Sequence, residues 1–169
     1  MALHSWVLGT KYFDVRRNKN YPGKTKVYIY GEDKLRMDVF DPFGFVTVGT
    51  LIINGDQMSL DMIQGEGYKG PLNSDKVKSL IKVDVNPKDL FSLFTQSGFE
   101  DKHWSCAVDE KGLALKECMS GAHQMRVHWS GQMTQKGTEV ALEHVRAKLR
   151  FKVKSYKPYP DYDERLFKL

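Results

Sequence analysis

The feature that most constrains this chain is a two-residue alternation of apolar and polar side chains, recurring in short runs on both sides of one helical stretch. Lys26-Val27-Tyr28-Ile29-Tyr30 alternates, Gly31-Glu32-Asp33-Lys34 turns, and Leu35-Arg36-Met37-Asp38-Val39-Phe40 alternates again. A period of two puts every second side chain on the same face of a strand, so these runs read as hairpins. Asp41-Pro42-Phe43-Gly44-Phe45 follows as a loop punctuated by Pro and Gly. A third strand covers Val46 to Ile53, and Asn54-Gly55-Asp56 supplies the left-handed backbone that a tight hairpin turn demands. Gln57 to Met62 is the next strand, with Met58, Leu60 and Met62 sharing a face, and upstream Trp6 to Val15 also reads as strand.

The middle of the chain changes period. Asn73-Ser74-Asp75 caps a short helix through Leu80, and Asn86-Pro87 opens a second, because proline in a first turn forfeits no hydrogen bond. Leu90, Phe91, Leu93 and Phe94 lie at helical spacing, and Gly98 ends the run. Gly65-Glu66-Gly67 reads as a flexible turn. Strands resume at His103 to Val108, Leu113 to Met119, Gln124 to Ser130, Glu139 to Val145 and Lys148 to Lys154. Strands, a helical excursion, then strands again predict an antiparallel α+β domain, since a parallel sheet needs a helix in nearly every crossover. The segment Tyr156 to Asp163 carries prolines and tyrosines and is expected to lie over the surface instead of continuing the ladder.

With 169 residues, no fixed-period repeat and no linker, the chain is expected to form one domain over residues 1–169. Hydrophobic residues make up 41%, too many for disorder at a net charge of +5, and two cysteines are too few for a disulfide-stapled miniprotein. No run approaches the ~18 apolar residues of a membrane span, and the start lacks the pattern of a signal peptide. The excess of positive charge favours anionic partners only mildly.

The faces carry more information. About nine strands expose more apolar face than two short helices can cover, so the surplus either packs as ordinary core or holds a ligand. The inward candidates are Val27 and Ile29; Leu35, Met37 and Val39; Val46 and Val48; Met58, Leu60 and Met62; Val127 and Trp129; and Leu149, Phe151 and Val153. Methionines suit a surface that adapts to its occupant.

Taken in order, Gly31 to Gly44, Leu51 to Asp56, Asn86 to Phe94 and the late Leu166-Phe167 resemble the lipoprotein-localisation family of LolA and LolB, most closely the outer-membrane receptor LolB. The shared pieces are a strand carrying Arg and ending in Asp-Pro-Phe-Gly, a strand entering a Gly hairpin, and a helix opened by Pro. The resemblance implies a strongly curved, unclosed antiparallel sheet of about eleven strands, a half-barrel whose concave hydrophobic side is lidded by short helices. It also implies a non-enzymatic protein, without cofactor or metal, that holds acyl chains of lipoproteins and passes them to the inner leaflet of the outer membrane.

On that reading, cavity candidates are Val27, Ile29, Leu35, Met37, Val39, Val48, Met58, Leu60, Met62, Leu90, Phe94, Val127, Trp129, Leu149 and Phe151, and the membrane-insertion loop is Pro42, Phe43 and Phe45. The expected setting is the periplasm or the periplasmic side of the outer membrane. The expected form is a monomer, with acylated lipoproteins and a carrier or receptor of the same fold as partners. No lipobox cysteine stands near Met1, so soluble carrier and anchored receptor both remain readings. General binding of lipid acyl chains is an alternative.

Other chemistries compete. His103, Cys106, Cys118 and His123 invite a zinc reading, but a tight turn at Asp109–Gly112 would pair Cys106 with about Leu115 and hold the cysteines ~10 Å apart at the usual strand rise. The same spacing opposes a disulfide, which needs Cα atoms within ~7 Å, whereas an oxidising compartment favours one. That pairing stays open. Asp161, Asp163 and Glu164 lack the glycine of a calcium loop and read as a solvated tail. Nucleophile elbows, phosphate loops and His-Glu-x-x-His are missing. The rival from another class is a nucleic-acid-binding sheet that would use Tyr28, Tyr30, Phe40, Trp104 and Trp129 as stacking platforms; no nucleic acid is expected.

Overall fold

The computed structural model describes residues 2–169. The chain runs through β1 (Leu3–Asp14), β2 (Lys19–Tyr30), β3 (Lys34–Phe40), β4 (Thr47–Asn54), β5 (Gln57–Met62) and β6 (Tyr68–Pro71). It then forms α1 (Ser74–Ile81), a 3-10 turn (Pro87–Asp89) leading into α2 (Leu90–Thr95), and β7 (Ser105–Val108), β8 (Leu115–Ser120), β9 (Met125–Trp129), β10 (Glu139–His144) and β11 (Ala147–Tyr159), ending in a 3-10 turn (Glu164–Phe167).

All eleven strands make one antiparallel sheet in the order β6-β5-β4-β3-β2-β1-β11-β10-β9-β8-β7. The sheet is unclosed, with β6 and β7 at its edges. Its inner face is a continuous row of paired apolar side chains: Trp6 opposite Val27, Val27 opposite Met37, Met37 opposite Leu51, and Leu51 opposite Leu60. Across the middle, Phe151 opposes Val140 and Val140 opposes Trp129.

Two short helices cover this face. Asn73 caps α1 by accepting the N–H groups of Asp75 and Lys76, which answers two of the donors a helix start leaves unpaired. Val77, Leu80 and Ile81 then point into the sheet. Leu80 meets the sheet at Gly49, where an added Cβ would lie 2.6 Å from the Leu80 Cδ1. At the second helix, Gln96 ends α2 in the left-handed conformation, two residues before the expected stop at Gly98. Its amide donates to the carbonyls of Leu115 (2.8 Å) and Gly131 (3.1 Å) and accepts the Met133 N–H, which pins α2 to the β8 side.

Several expectations need correction. Val46 is not inward; it is 46% exposed, and the inner positions of β4 are Gly49, Leu51 and Ile53. Val46 precedes β4, in the loop that Asp41 closes, and a bulge follows it: Val39 pairs with Gly49 and Phe40 with Thr47, so Val48 is an extra residue and the parity read from it does not carry on to Leu51 and Ile53. The short edge strand β6 was missed because Tyr68-Lys69-Gly70-Pro71 carries turn residues.

The segment after Lys154 does continue the ladder, as far as Tyr159 opposite Leu3. Pairing with β10 has ended by Lys152, so Pro158 lies where β11 has a free side and no donor is needed there. The tail beyond is not simply solvated either. Phe167 is fully buried on the outer face with Leu3 and Ile52, while Arg36 and Asn54 donate to the carbonyls of Leu166 and Phe167.

Cys106 and Cys118 are directly opposed across β7 and β8 and form a disulfide. A bulge between Ala107 and Val108 and the longer connection from Asp109 to Ala114 bring them into register, which a tight four-residue turn would not. A bridge closing a loop this short is worth about 3 kcal/mol in the chain-entropy treatment. Cys106→Ala/Cys118→Ala is expected to unfold at lower urea by that amount and to lose the drop in Tm that reductant causes in the native protein.

Candidate functional site

The helices do not fill the inner face completely. At the end of the sheet where the β1–β2 hairpin turns, a cavity of about 600 Å3 opens to solvent, within the ~300–1,000 Å3 range of small-molecule sites. Its walls come from Thr10 and Tyr12 of β1, Tyr21, Pro22, Gly23 and Thr25 of β2, Val39 and Phe40 of β3, Val48, the last turn of α1, and Leu149 and Phe151 of β11. The lining is chiefly apolar. Thr10 and Thr25 hydrogen-bond to each other through their hydroxyls at 2.7 Å, which lowers the polarity of this part of the wall.

The loop from Asp41 to Val46 stands at the mouth, with Asp41 and Pro42 forming part of the rim. The Asp41 carboxylate accepts the N–H groups of Phe45 (2.7 Å) and Val46 (2.9 Å), and Gly44 supplies the positive φ that lets the chain fold back. A loop organised this way from within has no need of its side chains for packing. Phe43 is 78% and Phe45 87% exposed, with their rings stacked at 6.4 Å.

Hydrogen bonds from Val46, and after it from Phe45, Phe43 and Gly44, hold the Asp41 carboxyl below the ordinary aspartate range against the opposing effect of desolvation. A depressed folded pKa means that the stabilising contribution is full above the unfolded value and is lost as pH falls through the folded one. The amide resonances of Phe45 and Val46 are therefore expected to titrate together, with a midpoint below that of an unfolded aspartate. In Asp41→Ala this transition should vanish.

Of the cavity candidates, Val39, Val48, Leu149 and Phe151 line the opening. Val27, Ile29, Leu35, Met37, Met58, Leu60, Val127 and Trp129 of the sheet and Leu90 and Phe94 of α2 are brought together too, but as close-packed core. Met62 is partly buried against that core. Pro42, Phe43 and Phe45 share one exposed loop. Sequence reasoning missed Thr10, Tyr12, Tyr21, Leu80 and Ile81, although Thr10 and Tyr12 share a parity with Trp6 and Leu8 on one face of β1.

Solved structures match this architecture over nearly the whole chain. A LolA-superfamily protein from Nitrosomonas europaea superposes with a TM-score of 0.65 at 9% identity, covering 99% of this chain and 90% of its own. The fold is LolA-like. A domain from Vibrio parahaemolyticus, assigned to outer membrane lipoprotein sorting, matches with a TM-score of 0.62 at 10% identity over 98% of this chain and 88% of its own. No protein-family model and no curated protein matches the sequence. At these identities the likeness speaks to the fold.

Within the LolA-like frame the competing chemistries lose their residues. The disulfide removes both cysteines as thiolate ligands, and His123 is engaged with Asp101 at 2.6 Å. Asp163 caps the final 3-10 turn and pairs with Arg165. The stacking candidates are scattered: Trp129 is buried and donates to the Leu93 carbonyl, Trp104 stacks on Phe99, and Tyr28 and Tyr30 pack with the C-terminal turn on the outer face. No helix among the described residues is long and apolar enough to cross a membrane.

Proposed function

We propose that this chain binds acyl chains of lipoproteins in the LolA-like cavity and delivers them to the inner leaflet of the outer membrane, acting on the periplasmic side without making or breaking a bond. The observation that carries the reading is the juxtaposition of an apolar cavity with a loop that displays two unpacked phenylalanines at its rim. Each buried methylene contributes ~0.8 kcal/mol, so the cavity holds a chain firmly, yet transfer to another apolar pocket is close to isoenergetic and needs no nucleotide. The exposed aromatic pair enters the boundary between headgroups and acyl chains, as interfacial aromatics do. The expected partners are acylated lipoproteins and a carrier or receptor of the same fold.

Two measurements test this. A fluorescent fatty-acid probe should bind the native protein, and Val48→Trp, which fills the bulged position in the wall, should weaken it. Loss of room for about two methylenes corresponds to roughly tenfold in affinity. Unchanged uptake in Val48→Trp would remove the cavity from the mechanism. Phe43→Glu should retain probe binding and fail in lipoprotein delivery; normal delivery by that variant rules out the insertion step.

A further inference from the structure

Around the C-terminal end of α1 the apolar cavity adjoins a second groove of about 460 Å3. Tyr12, Asp14 and Lys82 belong to the walls of both. The second groove differs in kind. It gathers Arg16 from the β1–β2 turn, Lys78 and Lys82 from α1, and Arg146 from the β10–β11 turn. Among the described residues, none of these four has a carboxylate within 4.0 Å.

Arg17, which faces the apolar cavity, is paired with Asp14 at 3.9 Å and adds little net charge. Asp84 is then the carboxylate left in the groove against four cations, alongside His123 and His144. The turn that carries Arg146 is held in place: its carbonyl accepts the Val15 N–H at 3.1 Å and its N–H donates to His144 Nδ1 at 3.2 Å.

Cations gathered in a concavity with low-dielectric walls focus a positive potential there. Guanidinium groups suit phosphate or carboxylate through paired, charge-assisted hydrogen bonds. An apolar cavity beside such a groove is matched to the two halves of an amphiphile.

Resting on the acyl-chain reading above, we propose that the cargo is an anionic amphiphile, its chain in the apolar cavity and its phosphate or carboxylate head in the groove of Arg16, Lys78, Lys82 and Arg146. The head is recognised with the chain, and the same anion free in solution is not the ligand.

The test is competition against an uncharged fluorescent acyl probe, with each lipid below its critical micelle concentration. Palmitoyl lysophosphatidate is compared with monopalmitoylglycerol, which has the same chain and a neutral head, and with inorganic phosphate. The native protein should favour the lysophosphatidate by about tenfold or more, the scale of one charge-assisted hydrogen bond. Lys78→Gln/Arg146→Gln, at positions outside the apolar cavity, should abolish the preference and leave monopalmitoylglycerol binding as it was. Equal binding of the two lipids, a preference that survives in the double variant, or displacement of the probe by inorganic phosphate at matched concentration overturns the proposal while the acyl-chain reading stands. Failure of both lipids to displace the probe overturns the acyl-chain reading and this one with it.

Discussion

Phe43→Glu/Phe45→Glu is expected to lose at least about a hundredfold in affinity for vesicles containing anionic phospholipid, measured by co-sedimentation. Transferring a phenylalanine from water to an apolar medium contributes about 1.5–3 kcal/mol, so two rings together account for roughly 3–6 kcal/mol, or two to four decades. Both rings are available for that transfer because the Asp41 carboxylate, and not aromatic packing, organises the loop. The substitution should therefore leave folding stability within about 0.5 kcal/mol. Phe43→Leu/Phe45→Leu, which keeps apolar surface without the rings, should retain most of the vesicle affinity. Equal sedimentation of the native and Glu-substituted proteins would show that this loop does not enter the bilayer.

The largest effect on stability is expected from Phe94→Ala. Phe94 is 1% exposed and sits between two other rings, with Trp6 of β1 at 5.8 Å and Phe151 of β11 at 5.5 Å in an edge-on arrangement. It is one of the contacts through which α2 grips the central strands. Truncating a buried phenylalanine costs about 3–5 kcal/mol through lost transfer energy and the void left behind. In a domain of ordinary stability, about 5–15 kcal/mol in total, this is a substantial share. The urea midpoint should fall accordingly and the Tm by about 10 °C. A loss below about 1 kcal/mol would mean that α2 rests on the sheet without being locked to it.

Alternation and turn chemistry made the fold legible where the chain obeys them without interruption. Gln57–Met62 and the Asn54-Gly55 turn lie where the period of two and the left-handed turn residues put them, and Asn73 and Pro87 open the helical pieces as their chemistry requires. Legibility stopped at bulges. One extra residue at Val48 reverses which side chains of β4 face inward, and another irregularity at Ala107 and Val108 sets the cysteines opposite each other. Neither bulge has a signature in a residue pattern, because it is fixed by the pairing of two distant segments.

The candidate site was legible in part for a related reason. Hydrophobic periodicity identifies the inner face but not how much of it the helices fill. Leu80, Ile81, Leu90 and Phe94 occupy most of the concave side, and the remaining space lies at one end, where Tyr12 and Tyr21 complete its wall.

The central pairing in the sheet, β1 with β11, joins the first strand of the chain to the last. The hairpins from β2 to β5 and from β8 to β10 are local and can assemble early, but the ladder between the two halves spans almost the full chain, a loop closure of the slowest kind. A nascent chain therefore carries β1 with one edge open until β11 has been made. The two halves of the concave face are joined, and the cavity walls that β1 and β11 share are brought together, only when that ladder forms, so the cavity is absent from a chain that stops short of β11.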